Sequence, residues 1–352
     1  MQRLMEANTA LPEQFHEGYT YCFTAHDIAA QLLISGMEQG IFVTNVILRN
    51  EKEKKDLEQA EDIVDWLHKS GRMDDEADVL LTVVFPAVLS DMLHCIFEAL
   101  EASRKGKLAV AYMLLRKPFQ ESLYLLESLV ADKVLFAKMI AEDPSRLRPQ
   151  NAGGLDGHAR RIESVLEIIG ETSRLDAGYI AMLRYDKTSR DSFDSICNKA
   201  MHLFTDHKAI KTEQYNVNFI LSQGEQVLTQ WAYLYSRLPY LMTYFICLIE
   251  HIAERFAHTH PTYTQDMNRR LAAQLLKSNA QITEHYQTEQ LTQLAQTTYY
   301  WLSNHCLEND FPLPAAEHLS RMALSGAFPD EQEELVVSRQ HLYQQLTLTD
   351  LP

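Results

Sequence analysis

The chain has 352 residues, of which 46% are hydrophobic and 23% charged, a composition typical of a soluble globular protein with one large domain or two ordinary ones. Its net charge of −16 argues against a protein that grips DNA with its whole surface, although a local basic groove is compatible with that charge. The five cysteines include no Cys-x-x-Cys pair, so neither a disulfide framework nor a zinc ribbon is predicted.

Almost the whole chain shows the residue spacing of helices. Apolar residues recur three and four positions apart, and valine and isoleucine do not alternate with polar residues over the length of a strand. Only 12 glycines are present, mostly between the periodic segments. We therefore predict an all-α protein, a bundle of long, partly kinked helices with a C-terminal helical appendage.

Four helical regions are predicted before the middle of the chain. They cover about residues 13–48, 51–70, 74–103 and 109–143, and Gly18, Gly36 and Gly40 are candidate breaks in the first of them. Kinks are expected at Pro86 and near Pro118, because proline removes a backbone hydrogen bond inside a helix. The segment 143–157 then holds two prolines and three glycines, which makes it the best candidate for a loop or a boundary within the bundle.

The second half of the chain begins with short helices and a helical stretch over 191–208. Residues 223–258 are apolar on every side, which is typical of a central, buried helix. Residues 265–308 have the pattern of one very long amphipathic helix, and the acidic tail predicts two short ones. We predict a bundle domain over 1–262, with 143–157 as its internal boundary, and an appendage over 263–352.

Three apolar stretches raise the question of a membrane. The stretches 28–48 and 79–100 carry several polar or charged residues, and 238–249 is shorter than the roughly 20 residues that a span needs. The first residues of the chain also lack the pattern of a secretory signal. We therefore expect a cytoplasmic protein without a membrane partner.

The sequence NKAMHLFTDH, which begins at Asn198, contains the first candidate site. On a helix, Asn198, His202 and Asp206 would form one polar stripe, because they are four residues apart. His202 and Asp206 could then share a proton or a ligand. Alternatively the stripe borders the core, with Met201 and Phe204 packed inward and His202 paired with Asp206. In both versions His202 is expected to face inward.

The sequence LLRKPFQESLYLLE places Arg116 in an apolar stretch, where a buried guanidinium needs a partner. Glu121, Glu127 and Asp206 are the candidate partners. The arrangement is either a structural ion pair or the wall of a cavity that faces His202. We predict a pocket for an unidentified small ligand, or a contact site for a protein partner, built from Arg116, Glu121, Asn198, His202 and Asp206.

The sequence RFAHTH spans Arg255 to His260 and resembles the Arg-x4-His motif of HEPN ribonucleases. It departs from that motif at Phe256, where the family has a polar residue. The resemblance implies an alternative function, metal-independent RNA cleavage by Arg255 and His260 in a cleft that a homodimer would complete. LLRKPFQESLYLLE and RYDKTSRDSFDSICNKAMHLFTDH are similar to stretches of uncharacterised bacterial helical proteins, some related to the HEPN class.

Other enzyme motifs are missing from the sequence. It has no P-loop, dinucleotide-binding fingerprint, zincin motif or hydrolase elbow. A di-iron site in a helical bundle needs two Glu-x-x-His motifs, and we find only Glu13 with His16. We therefore predict no metal and no cofactor, and we leave open whether the protein is an enzyme. Basic residues over 104–117 and 146–161 are either an anion-binding patch or solvated helix ends.

Overall fold

The computed structural model describes residues 9–349 of the chain, with side chains described up to residue 342. The chain is 72% helical, and no strand occurs in the described range. The prediction of an all-α bundle is therefore confirmed. The periodic spacing of apolar residues was a sufficient signal, because each helix buries one face of its own side chains.

The helices are numbered here in chain order. Their bounds are α1 His16–Glu38, α2 Glu51–Glu58, α3 Ile63–Lys69, α4 Met73–Arg104, α5 Leu108–Lys117, α6 Leu123–Ala131, α7 Lys133–Glu142, α8 Gly154–Ile169, α9 Ala177–Tyr185, α10 Phe193–Met201, α11 Glu225–Ala253, α12 Pro261–Ala280, α13 Glu289–Glu308, α14 Ala316–Ser325 and α15 Glu333–Thr349. Single 3-10 turns occur at Glu13–Phe15, Pro144–Leu147, Pro149–Asn151 and Glu284–Tyr286.

The described chain forms two compact units. Unit 1 contains residues 9–28, 224–243 and 258–349, and unit 2 contains residues 29–223 and 244–257. This division differs from the predicted one at 262/263, and no boundary between the units falls in 143–157. The N-terminal segment belongs to unit 1 because its side chains pack there: the Phe15 ring stacks on Tyr235 at 6.2 Å, and the hydroxyls of Tyr21 and Thr243 are 2.6 Å apart.

In unit 2, α4 packs along α5 and α7. One face of α4 is buried through residues such as Phe85, Leu89 and Ile96. Among the described residues, α4 alone is long and apolar enough to cross a membrane, judged by length and composition only. The helix continues through Pro86, whereas a π-helical turn at Pro118–Ser122 separates α5 from α6.

A buried ion cluster forms the polar centre of unit 2. The Glu127 carboxylate accepts hydrogen bonds from Arg184, from Arg161 at 3.0 and 3.1 Å, and from the Tyr244 hydroxyl at 3.0 Å. Burial alone would raise the pKa of Glu127, but the charges of Arg184 and Arg161 hold this pKa below its ordinary value. Glu127 is therefore satisfied by these groups and does not pair with Arg116, which excludes one of the predicted partners.

Unit 1 has its own buried cluster, centred on Arg269 of α12. Its guanidinium donates to Asp266 at 2.7 Å, to the Gly326 carbonyl at 2.7 Å and to the His305 ring at 3.0 Å. Arg339 of α15 donates to the same Asp266 carboxylate at 3.3 Å. Helix α15 is thereby held in unit 1, because the buried Asp266 carboxylate requires charged or hydrogen-bonding partners.

Two predicted helices are shorter in the structure. The first ends at Glu38, and the β-branched residues that follow, over 41–49, are not helical. The predicted helix over 265–308 is wrong as a single element, because α12 ends at Ala280 and α13 starts at Glu289. Thr288 caps the new start by accepting a hydrogen bond from the Leu291 amide, which makes a second helix N-terminus favourable there.

Candidate functional site

An open cavity of about 400 Å3 lies in unit 2 at the C-terminal end of α10. It is lined by Arg116, Lys187, Ser195, Asn198, His202, Phe204, Thr205, Asp206, His207 and Ile210. Four of the five predicted ligand-binding residues, all except Glu121, are therefore brought to one cavity. The Glu121 side chain is exposed and is not part of the lining.

Asn198, His202 and Asp206 line the cavity, but they do not form the predicted stripe on one helix. Helix α10 ends at Met201, and His202 already has an extended backbone with φ −123°. The expectation that Met201 and Phe204 pack inward is wrong, since they are 44% and 67% exposed. The expectation that His202 faces inward is wrong as well, because it is exposed at the cavity edge.

Helix α10 ends at Met201 because Asn218 forms hydrogen bonds with the backbone carbonyl groups that follow. The Asn218 side-chain amide donates to the His202 carbonyl at 2.9 Å, and its backbone amide donates to the Leu203 carbonyl at 3.0 Å. These carbonyls are then satisfied outside a helix. This contact joins residues 16 positions apart, so the residues next to His202 in the sequence do not indicate it.

Residues 202–218 form a loop that is closed by its own hydrogen bonds. The Thr205 amide donates to the Thr212 hydroxyl at 2.7 Å, and the Thr212 amide donates back to the Thr205 carbonyl at 2.8 Å. The Thr212 hydroxyl also donates to Asn218, whose side chain is buried, at 3.0 Å. The loop supplies six of the lining residues, from His202 to Ile210, and its internal bonds hold them in place.

On the opposite side, α5 supplies Arg116. Its guanidinium donates to Gln120 at 2.9 Å and to the Met201 sulfur at 3.1 Å, and it lies 3.8 Å from Asp194. The carboxylate beside Arg116 is therefore Asp194 rather than Glu121 or Asp206. The side chain is 34% exposed, so a fully buried ion pair is excluded and guanidinium donors remain available to the cavity.

Asp194 was missed by the sequence analysis. It is buried in the first turn of α10, and Gln120 donates to its Oδ1 atom at 2.6 Å. Its Oδ2 atom is also buried and has no hydrogen-bond partner in the described part of the chain. The available signal was its position three residues before Cys197, which places both residues on the face of α10 that packs against α5.

Lys187 is a second residue of this region that was not predicted from the sequence, and it is a cation that lines the cavity. It lies in the turn DKTS, where the Asp186 carboxylate accepts from the Thr188 amide at 2.7 Å. This hydrogen bond between near neighbours forms an Asx turn, and the sequence DKTS is itself typical of a loop. Lys187 is exposed, and it forms no ion pair with any described residue.

Cationic and histidine side chains are the main ionisable groups in the cavity lining. Arg116, Lys187 and two histidines outnumber its one carboxylate, Asp206. The only serine in the lining, Ser195, donates its hydroxyl to the Ser189 carbonyl at 3.0 Å and so is not paired with a general base. Over the described range, no group of three or more His, Cys, Asp or Glu side chains is placed to hold a metal ion.

The residues of the predicted ribonuclease motif have local contacts of their own. Arg255, in unit 2, lies 3.6 Å from the Asp78 carboxylate. His260, in unit 1, caps α12 by accepting a hydrogen bond from the Thr262 amide at 3.3 Å. Both contacts are those of ordinary structural residues, and RNA cleavage by Arg255 and His260 stays a prediction from the sequence.

We compared the chain with protein-family models, with curated proteins and with solved structures, and none of them matches.

Proposed function

We propose that this protein binds a small organic anion in the cavity at the end of α10. The observation that supports this function is the convergence of residues from three separate parts of unit 2. Arg116 comes from α5, Lys187 from the turn before α10, and the histidines with Phe204 from the loop after it.

The chemistry of the cavity fits an anion with an apolar part. The Arg116 guanidinium presents several donors in a planar fork that matches a carboxylate, and Lys187 adds a point charge. Phe204 and Ile210 offer apolar surface in the same cavity. A volume of about 400 Å3 lies within the usual range of small-molecule sites, which is roughly 300–1,000 Å3.

We also propose that the protein works in the cytoplasm, as a soluble binding protein. Helix α4 has the length and hydropathy of a membrane span, but two acidic residues along it are paired with lysines of neighbouring helices. Asp78 accepts from Lys133 at 2.7 Å and Asp91 accepts from Lys117 at 2.7 Å. Such pairs on a helix that packs against α5 and α7 favour a core helix of a water-soluble domain.

The binding test uses 3-phenylpropanoate, which has one carboxylate and an apolar ring, and its neutral amide as the uncharged control. Isothermal titration calorimetry with the full chain should detect the carboxylate and find the amide at least tenfold weaker. Lys187→Ala should weaken binding of the carboxylate about tenfold, since a hydrogen bond to a charged group contributes about 1.5–3 kcal/mol.

Lys138→Ala is the matched control, because it removes the same charge from an exposed lysine of α7 outside the cavity. It should leave the affinity unchanged. Equal affinities for the carboxylate and the amide, or equal effects of Lys187→Ala and Lys138→Ala, would contradict the proposed function.

A further inference from the structure

The cavity contains opposite charges that do not neutralise each other. Asp206 lines the same space as Lys187 and Arg116, yet no ion pair joins it to either cation in the described part of the chain. Asp206 also accepts no hydrogen bond there, and it is exposed. Lys187 and Asp206 therefore keep their full capacity to bind a ligand, and Arg116, although 3.8 Å from Asp194, still presents part of its guanidinium to the cavity.

The loop explains why Asp206 stays away from the cations. Its neighbour Thr205 is fixed through both its amide and its hydroxyl, the latter donating to the Ile210 carbonyl. Asp206 is therefore carried on a backbone that is tied to the loop and not to α5 or the Lys187 turn. The free protein therefore already holds Asp206 apart from Arg116 and Lys187. A ligand that carries both a negative and a positive group then binds at a lower free-energy cost, because the site is already arranged for it.

We propose that the ligand is a zwitterion, an α-amino acid with an apolar side chain, and that Asp206 is the residue that selects its ammonium group. This inference rests on the proposed function. The ligand carboxylate contacts Arg116 and Lys187, the ammonium contacts Asp206, and the side chain lies against Phe204 and Ile210. A simple anion satisfies the cations but places its charge near Asp206, and like charges brought together weaken binding.

Three probes of similar size separate the two charges. L-phenylalanine carries both groups, 3-phenylpropanoate lacks the ammonium and phenethylamine lacks the carboxylate. For the unaltered chain at neutral pH, calorimetry should give the highest affinity for L-phenylalanine, at least tenfold above either of the other two. Equal affinities for L-phenylalanine and 3-phenylpropanoate would overturn the zwitterion inference.

Asp206→Asn tests the assigned residue, because it removes the charge and keeps the shape. It should weaken L-phenylalanine binding at least tenfold and strengthen 3-phenylpropanoate binding, because the like charge beside the carboxylate is removed. The control Asp56→Asn removes an exposed acid of α2 and should change neither affinity. Equal weakening of both probes by Asp206→Asn would overturn the role of Asp206. Melting curves verify folding, which we expect to be intact because Asp206 is exposed.

The outcomes distinguish the two proposals. If none of the three probes binds the unaltered chain, both the proposed function and the zwitterion inference fail. If 3-phenylpropanoate binds through Lys187 and L-phenylalanine binds no more tightly, the cavity is an anion site and only the zwitterion inference fails.

Discussion

His158 lies buried in unit 2 between an aromatic ring and two arginines. It is 4% exposed, its ring stacks on Tyr185 with centroids 3.5 Å apart, and Arg161 donates to its Nδ1 atom at 2.9 Å. Burial, and then the charges of Arg161 and Arg184, lower the pKa of His158 from 6.5 to about 4. The folded protein therefore keeps this histidine neutral at a pH where the unfolded chain protonates it.

Because of this histidine, the free energy of unfolding should decrease as the pH is lowered. The contribution of His158 is fully present above pH 6.5 and is lost progressively down to about pH 4, because only the unfolded state gains a proton in that interval. At pH 5 the loss should be about 2 kcal/mol, from roughly 1.4 kcal/mol per pH unit. In urea denaturation, His158→Gln should be less stable than the parent at pH 7, and this gap should shrink by about that amount at pH 5. An identical gap at both pH values would contradict the assignment.

Gly326 offers a second test at the scale of one residue. Its backbone has φ +69°, and a Cβ atom there would lie 2.5 Å from the Asp266 carboxyl carbon. Gly326→Ala should therefore cost about 3 kcal/mol or more, combining left-handed strain with disruption of the Arg269 cluster. Gly170→Ala is the matched control, because φ is +76° there and nothing lies within 4 Å. It should cost only about 1 kcal/mol, and equal losses in chemical denaturation would exclude the steric account.

Among the structural elements, helices were predictable, as were interruptions marked by proline or glycine, such as the turn at Pro118–Ser122; interruptions set by distant contacts were not. Helix α11 was predicted as a buried central helix, and Leu238, Phe245 and Ile249 are indeed almost fully buried. The end of α10 at Met201 was not predictable, because the Asn218 amide that captures the next carbonyl lies 16 residues downstream. The candidate residues around the cavity were identified by their chemical type, whereas their geometry depends on this long-range contact.

The loop over 202–218 should depend on Asn218 as a unit. Asn218→Ala removes the bonds to the His202 carbonyl and to Thr205 and Thr212, so hydrogen exchange over 202–218 should become at least tenfold faster. Exchange in α4 should not change, and 3-phenylpropanoate should bind several-fold more weakly. Asn216→Ala is the control within the same loop, since only its backbone hydrogen bonds there. Equal exchange in the two variants would show that Asn218 does not hold the loop.

For the whole molecule, the segment 143–157 is expected to be the first internal site of proteolysis. Leu147 has the only buried side chain in this described segment, and two single 3-10 turns lie over residues 144–151 before α8 begins at Gly154. The loop over 202–218 is also exposed, but its internal hydrogen bonds should protect it for longer. Brief digestion with a protease of broad specificity, followed by mass spectrometry of the fragments, checks the order of cutting. A first cut in 202–218 would contradict it.

Unit 1 is built from segments that are far apart in the sequence, and this affects its folding during synthesis on the ribosome. Its first segment, residues 9–28, contacts residues 224–243, which are translated about two hundred residues later. Phe15, Tyr19 and Tyr21 are buried in the finished protein, and their contacts with residues 224–243 cannot form until that stretch has been translated. At roughly 5–20 residues per second, this aromatic segment waits on the order of ten seconds or more. The amino end of the nascent chain is therefore expected to expose aromatic surface of the kind that holding chaperones bind, while the larger part of unit 2 can already collapse.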